Sequence, residues 1–107
     1  MNIVEQNVEQ VRNICRDHKV ERMYVFGSVL TRKFNEKSDI DFLVKFGEVD
    51  LFYYFDNLLS LKENLENLLH KEVDILEEQA LKNPYLKKSI DNNKVLIYGR
   101  ETSEMVV

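Results

Sequence analysis

The sequence predicts a small α/β domain of the α+β kind, with a mixed sheet of about four strands and flanking helices. Short β-branched and aromatic segments alternate along the chain with segments whose apolar residues recur at helical spacing. The chain has 107 residues with only three glycines and one proline, so one domain with short turns is expected. The predicted element order is αβαβαβαβ, which leaves the order of the strands in the sheet open.

The first half of the chain is predicted to form two helices and two strands. Apolar residues at three- and four-residue steps predict an amphipathic helix over residues 2–18. Residues 22–27 form a short predicted strand that stops at Gly27, and a brief helix is expected over 29–33. Residues 39–46, DIDFLVKF, are rich in aromatic and β-branched side chains and predict the second strand.

The second half repeats this alternation. Leucines and aromatic residues at a 4-3-4-3 spacing predict a helix over residues 51–70. Residues 72–76, EVDIL, predict the third strand. The Asn-Pro pair at 83–84 predicts the start of a helix that ends near 92–93, because asparagine caps helices well and proline suits their first position. Residues 94–99 predict the fourth strand.

Composition and charge narrow the range of functions. Hydrophobic residues make up 44% and charged residues 32% of the chain, as in soluble globular proteins. No apolar run approaches the roughly 18 residues of a membrane span, and the acidic N-terminus is unlike a signal peptide. With Cys15 as its one cysteine and a net charge of −4, the chain is expected in the cytoplasm without direct nucleic-acid binding. Residues 1–99 are expected to form the single domain and 100–107 a flexible tail.

Two acids stand inside an apolar segment. Asp39 and Asp41 occupy positions i and i+2 of the predicted 39–46 strand, so they should project from one face about 6.6–6.8 Å apart along the chain. Adjacent carboxylates repel each other and are costly to desolvate. A divalent cation compensates directly, and Mg²⁺ prefers oxygen ligands together with water and phosphate. The pair therefore predicts a site for one or two Mg²⁺ ions that also hold a nucleoside triphosphate.

A glycine-serine pair and a third acid complete the candidate site. Gly27 lets the backbone approach an anion closely, and the free N–H groups at the start of the brief helix attract phosphate. Ser28 adds a hydroxyl group. Asp74 lies in the middle of the apolar 72–76 strand and could join the other acids if that strand lies beside the 39–46 strand. Two-metal nucleotidyl transfer uses such a third carboxylate to help activate the attacking hydroxyl.

Each of these residues also has a simpler interpretation. Asp39 and Asp41 could be a solvent-facing pair, and Asp74 an edge-strand acid. Gly27 and Ser28, taken alone, are well explained as a strand-to-helix turn with a serine cap. The combination at this spacing favours the metal and phosphate site. Four lysines could reach a phosphate, but each is better explained as a solvated surface residue: Lys33, Lys37, Lys45 and Lys71.

The combination resembles the nucleotidyltransferase superfamily of DNA polymerase β, and within it the minimal stand-alone nucleotidyltransferases (MNT). The resemblance rests on Gly-Ser at 27–28, Ser-Asp-Ile-Asp at 38–41 and Val-Asp-Ile-Leu at 73–76, and it covers about residues 20–99. It implies the nucleotidyltransferase fold. It also implies a transferase of the protein adenylyltransferase type (EC 2.7.7) that moves NMP, most often AMP from ATP, to an acceptor hydroxyl.

The same resemblance implies roles and partners. Asp39 and Asp41 would bind two Mg²⁺ ions, Asp74 would be a further metal ligand or base, and Gly27 and Ser28 would hold the β- and γ-phosphates of ATP. Many minimal members are antitoxins of a HEPN-domain ribonuclease, which they adenylylate on a tyrosine or mask by binding. A HEPN-domain toxin is therefore the implied partner.

One segment departs from the family pattern. Many members continue Gly-Ser-x-Ala-Arg-Gly, whereas this chain has Gly-Ser-Val-Leu-Thr-Arg. Thr31 takes the place of the usual arginine and Arg32 that of the glycine, so Arg32 either supplies the displaced charge or faces solvent. Two hypotheses follow: an active adenylyltransferase, and a catalytically degenerate module that neutralises the toxin by occlusion alone.

The predicted 51–70 helix carries more apolar residues than one core-facing stripe needs. Phe52, Phe55 and Leu59 widen its apolar face beyond what a small sheet covers. A wide apolar face on a small domain indicates a partner interface, although core packing accounts for the other apolar residues of the helix. The same face leaves homo-oligomerisation open.

Overall fold

The computed structural model describes residues 2–100, which form one four-stranded sheet with helices on both faces. The helices are α1 (Ile3–Gln6), α2 (Val8–Asp17), α3 (Leu51–Leu69) and α4 (Pro84–Asn93). The strands are β1 (Val20–Phe26), β2 (Ile40–Phe46), β3 (Val73–Glu77) and β4 (Val95–Tyr98). Short 3₁₀ turns follow β1, at Gly27–Leu30, and β3, at Glu78–Ala80. Residues 101–107, the greater part of the predicted tail, lie outside the described residues.

The sheet is mixed, as predicted, and its strand order is β3-β2-β1-β4. β1 pairs antiparallel with β2 and β4, whereas β2 and β3 run parallel. Parallel neighbours need a crossover, which the 19-residue helix α3 provides. This β2–α3–β3 unit places the starts of β2 and β3 side by side at one end of the sheet, next to the end of β1. None of the helices within residues 2–100 has the length and apolar character required to cross a bilayer.

The two faces of the sheet are covered unequally. One face packs against α2 and α3 to form the main core, in which Phe42 of β2 and Leu61 of α3 are fully buried. The opposite face holds a smaller cluster, where Ile90 of α4 packs with Tyr24 and Leu43. Because this cluster is small, part of the second face stays accessible, and the candidate site lies at one end of the sheet, lined from this face and from α3.

The sequence predicts one helix over residues 2–18, and the structure shows two, α1 and α2, separated at Asn7. The prediction of a single helix is therefore wrong. The side-chain amide of Asn7 donates a hydrogen bond to the carbonyl of Ile3 at 2.9 Å. Asparagine side chains compete with the backbone for helical hydrogen bonds in this way, which explains the interruption. The brief helix expected over 29–33 likewise forms earlier, as the 3₁₀ turn at Gly27–Leu30.

Polar contacts fix α3 against α2. The ring of His18 lies with Nδ1 2.7 Å from the carbonyl of Ile14 and Nε2 2.8 Å from the hydroxyl of Ser60 on α3. Asn57, also on α3, donates to the carbonyl of His18 at 2.8 Å. These contacts set the position of α3, whose side chains form one wall of the candidate site.

Cys15 is buried in the core, with its sulfur 3.5 Å from that of Met23, and burial raises the pKa of its thiol from 9.0 to about 12. A thiol whose pKa is raised on folding stabilises the fold below its unfolded pKa, and this stabilisation is lost as the pH rises from 9.0 towards 12. We therefore expect the free energy of unfolding to fall with pH more steeply in the wild type than in Cys15→Ala. The difference in slope should approach about 1.4 kcal/mol per pH unit above pH 9.

Urea unfolding of both proteins at several pH values between 7 and 11 measures this difference. The loss of packing in Cys15→Ala offsets its curve equally at every pH, so only the slopes are compared. Parallel curves would contradict the predicted burial of the thiol.

Candidate functional site

Asp41 and Asp74 lie side by side at one end of the sheet. They are register partners in the parallel β2–β3 pair, and neighbouring strands are about 4.7–4.9 Å apart. Asp41 is also the partner of Phe26 at the end of β1. Because side chains alternate between faces along a strand, both carboxylates share the second face with Leu43, away from the main core. The condition set by the sequence for Asp74, a strand beside that of Asp41, is therefore met.

Asp39 lies just outside the strand. β2 begins at Ile40, so the predicted 39–46 strand is one residue too long and strict strand alternation does not orient Asp39. Its position is set by the preceding turn. In that turn the amide of Asn35 donates to the hydroxyl of Ser38 at 3.1 Å, and the amide of Ser38 donates to the carbonyl of Asn35 at 3.0 Å.

Lys71 anchors the same turn from the β3 side. Its ammonium group donates to the carbonyl of Asn35 at 2.7 Å and lies 4.6 Å from the centre of the Phe34 ring. The amide of Ile40 also donates to the carbonyl of Glu72 at 3.0 Å. Lys71 therefore supports the loop that carries Asp39, and in this conformation it is not directed at the carboxylates.

The acids repel one another. Burial raises the pKa of the Asp41 carboxyl above its ordinary value, and the negative charges of Asp74 and then Asp39 raise it further. Within residues 2–100 none of the three carboxylates forms an ion pair with a basic side chain. The cluster thus carries uncompensated negative charge, which an added cation would neutralise.

Gly27 brings the 3₁₀ turn against this cluster. Its φ angle is +84°, and a Cβ atom at this position would overlap the carboxylate of Asp41. Glycine is the residue that tolerates both the left-handed backbone and the close approach. Ser28 follows directly in the turn and is half-buried, and the role of its hydroxyl in holding phosphate stays a prediction.

Thr31 closes the turn. Its hydroxyl and its amide both donate to the carbonyl of Ser28, at 2.8 and 2.9 Å, and the hydroxyl accepts from the amide of Lys33 at 3.1 Å. The residue that replaces the family arginine therefore supports the turn but brings no positive charge. Arg32 is exposed and forms no ion pair within residues 2–100.

A cleft of about 440 Å³ opens beside the two strand acids. Its lining combines carboxylates, one lysine and apolar side chains: Phe26, Asp41, Leu58, Leu59, Lys62, Asp74, Ile75 and Leu76. Lys62 was not predicted from the sequence, because only the packing of α3 shows which acids share its cleft. Its helical spacing from Leu58 and Leu59 was a signal that could have placed it on their side of α3.

A second cleft, of about 580 Å³, lies on the other side of Phe26 and Gly27, between the 3₁₀ turn and α4. Its described lining contains no acid and is largely apolar, with Ser89 and Asn93 supplying polar groups. The turn at Gly27 therefore separates an acidic cleft from an apolar one.

The carboxylates fit a hard divalent cation. Within residues 2–100 no three His, Cys, Asp or Glu side chains are arranged closely enough to hold a metal ion. Asp41 and Asp74 nevertheless offer two adjacent carboxylates, and Mg²⁺ is commonly bound by one or two carboxylates with water and substrate phosphates. Asp39 is near enough to raise the pKa of Asp41 and would have to turn towards the pair to join it.

Comparison with known proteins points to one family. The family model described as polymerase beta, nucleotidyltransferase matches residues 9–103. MJ0128 of Methanocaldococcus jannaschii, a proposed protein adenylyltransferase, is 35% identical over 101 residues, covering 86% of this chain and 99% of MJ0128. The protein adenylyltransferase MntA of Thermococcus cleftensis is 33% identical over 88 residues, covering 75% of this chain and 86% of MntA.

Solved structures share the fold. A proposed minimal nucleotidyltransferase matches with a TM-score of 0.72 and 33% identity, covering 89% of this chain and 95% of that structure. A chain from the complex of a tri-AMPylated Shewanella oneidensis HEPN toxin with its MNT antitoxin matches with a TM-score of 0.62 and 20% identity, covering 90% of this chain and 72% of that one. At 20% identity the likeness concerns the fold alone. The predicted nucleotidyltransferase fold is confirmed.

Replacing Gly27 should damage both the fold and the site. In Gly27→Ala the new Cβ meets the Asp41 carboxylate and imposes a left-handed backbone on alanine. We expect the free energy of unfolding to fall by about 1–3 kcal/mol. Gly47→Ala is the matched control, because its Cβ would make only ordinary contact, 3.5 Å from the carbonyl oxygen of Lys19. Chemical denaturation of both variants checks this, and equal losses would contradict the proposed close approach.

Removing the charge of Asp41 should stabilise the metal-free protein. An acid whose pKa is raised in the folded state favours folding at low pH and opposes it once ionised. With a chelator at pH 7, Asp41→Asn should therefore melt at a higher temperature than the wild type. This difference in melting temperature, the gap between the two proteins, should disappear as the pH falls towards the unfolded pKa of 3.8. Asp17→Asn, an exposed acid on α2, is the control and should show no such gap. A wild type more stable than Asp41→Asn at pH 7 would count against the repulsion.

Proposed function

This chain belongs to the polymerase β family of nucleotidyltransferases, and we propose that it transfers AMP from ATP, with Mg²⁺, to a hydroxyl of a HEPN-domain toxin that it thereby inactivates. One observation carries the proposal. Asp41 and Asp74 face the same cleft from adjacent strands, and Gly27 brings the 3₁₀ turn against Asp41. Phosphoryl-type transfer needs a phosphate-binding turn and metal-binding carboxylates at this proximity.

Each residue of the site would have a role that follows from its functional group. Ser28 and the backbone of the turn at Gly27 would donate hydrogen bonds to the β- and γ-phosphates of ATP. Asp39 and Asp41 would hold Mg²⁺ close to the α-phosphate, with Asp74 on the acceptor side. Bound Mg²⁺ would supply the positive charge that stabilises the phosphoryl oxygens as negative charge builds on them.

The transfer then exchanges one phosphorus–oxygen bond for another. The acceptor oxygen bonds to the α-phosphorus of ATP while the bond between that phosphorus and the pyrophosphate oxygen breaks. Asp74 accepts the proton of the acceptor hydroxyl, and pyrophosphate leaves with the electron pair. Lys62 lines the same cleft without an ion-pair partner within residues 2–100, so it can offset the charge of the anionic substrate.

Two findings support a HEPN-domain protein as the acceptor. The relative MntA is a protein adenylyltransferase, and a chain with this fold occurs in complex with a HEPN toxin that carries three AMP groups. The described cleft is open on its α3 side, where a protein acceptor has room to approach, since Leu59 of that helix is 43% exposed.

A second candidate function rests on Thr31. Its hydroxyl is committed to the carbonyl of Ser28, so the turn lacks the positive charge that the family arginine supplies at this position. A chain with weakened phosphate binding would neutralise the toxin by covering it, without transferring AMP. Silencing of the toxin by AMP transfer would require the carboxylates, whereas silencing by occlusion would not.

Substitution of the carboxylates separates the two functions. The purified chain is incubated with Mg²⁺, labelled ATP and the product of the adjacent gene, which is tested as the partner. Asp39→Asn and Asp41→Asn should each reduce labelling of the partner by at least about 100-fold, because each removes a charge that holds the cation. Asp17→Asn, on the far helix α2, should label the partner as the wild type does.

The same samples are assayed for ribonuclease activity of the partner. If silencing is lost together with the label, AMP transfer is the means of inhibition. If Asp39→Asn and Asp41→Asn silence the ribonuclease fully while no protein carries label, the chain acts by occlusion and the proposed transfer is wrong. Thermal melting of each variant confirms that the fold is retained.

A further inference from the structure

A row of apolar side chains along the first half of α3 is left facing solvent. Leu51 is 88% exposed, Phe52 82%, Phe55 65% and Leu59 43%. These four residues are called the α3 stripe. Exposure of this order is unusual for three or more large apolar side chains that adjoin one another, and such patches mark interaction sites.

The α3 stripe is not an edge of the core. The side of α3 that packs on the sheet is marked by Leu61, Leu65 and Leu69, which are fully buried. At about 100° per residue, Phe55 lies about 120° and Leu59 about 160° around the helix from Leu61, on a separate face. Folding alone therefore does not use the α3 stripe.

The α3 stripe is continuous with the acidic cleft. Leu59, its last member, lines the cleft together with Asp41 and Asp74. Lys62, one helical turn further along α3, lines the same cleft. A surface that covers the α3 stripe and extends past Leu59 therefore adjoins the cleft that the two carboxylates line.

Two acids border one side of the α3 stripe, and Lys62 lies on its other side, at the cleft. Asp56 lies four residues after Phe52 and Glu63 four residues after Leu59, so each stands next to a stripe residue on the helix. Both acids are exposed, and neither forms an ion pair within residues 2–100. A second copy of this chain docked through the same face would bring carboxylates near carboxylates, which repel. A partner with Lys or Arg around an apolar centre would instead have the opposite charge.

We propose that the α3 stripe is the docking surface for the acceptor protein, and that the matching surface of that protein is an apolar helix face bordered by basic residues. The proposal rests on the proposed function for the hydroxyl that the acceptor delivers. Docking on Phe52 and Phe55 anchors the partner, and contact at Leu59 brings its hydroxyl to the cleft that holds Asp41 and Asp74.

The test compares two sets of exposed apolar residues. Phe52→Ser/Phe55→Ser should fold normally, since both side chains are mostly exposed. Its Kd for the product of the adjacent gene, tested as the partner, is measured by calorimetry. This Kd should rise at least about 100-fold, as expected for loss of two aromatic anchors. Tyr85→Ser on α4, where Tyr85 is 84% exposed, is the matched control and should bind as the wild type does.

Labelling of the partner tests delivery to the site. In Phe52→Ser/Phe55→Ser the KM for the partner should rise in step with Kd while kcat at saturating partner is kept. Binding of Mg²⁺-ATP in the absence of partner should match the wild type. In a further variant, Asp56→Asn/Glu63→Gln should slow association and reduce its dependence on salt.

Three results would overturn the inference. They are an unchanged partner Kd in Phe52→Ser/Phe55→Ser, an equal loss in Tyr85→Ser, and a wild-type homodimer in sedimentation that these phenylalanine substitutions dissolve. If the wild type binds the partner through the α3 stripe but leaves it unlabelled, the docking surface stands and the proposed transfer fails. If the wild type does not bind the partner, the docking proposal fails as well.

Discussion

The register of β2 against β3 is the constraint on which the candidate site depends. It places Asp41 directly opposite Asp74, and like charges in that position destabilise a sheet. The register is held by the other face of the same strands, where Ile40 and Phe42 are fully buried and Val73 nearly so. A shift of one residue would expose these side chains to solvent and bury the acids. The main core therefore fixes two carboxylates in a costly arrangement, which a bound cation would make favourable.

Much of the fold follows from the sequence because its elements are short and clearly patterned. The strands, α3 and the Asn83-capped α4 form close to where the periodicity and capping residues predict them. The break at Asn7 was not predicted, because it depends on one side-chain hydrogen bond rather than on apolar spacing. The strand order also lay beyond the sequence, since pairing between β1 and β4 joins segments about 70 residues apart.

The residues of the candidate site were likewise predictable from the sequence only in part. Gly27, Ser28 and the acids were identified from residue type and spacing, and the structure brings Gly27, Asp41 and Asp74 together. The contributions of Lys62 and Lys71 could not be read from the sequence, because each lysine is defined by contacts with elements distant along the chain. Lys71 supports the turn before Asp39, whereas Lys62 shares the acidic cleft.

Helix α3 links the chemistry of the site to recognition of a partner. A parallel β2–β3 pair requires a crossover, and in this chain α3 is the crossover that allows Asp41 to align with Asp74. One side of that helix completes the core, and an adjoining side forms a wall of the cleft. The exposed Phe55 lies about one helical turn before Leu59, which lines that wall. In the docking proposed above, a partner bound there would be held beside the cleft by the same helix that connects the two strands, so docking and transfer would depend on one element.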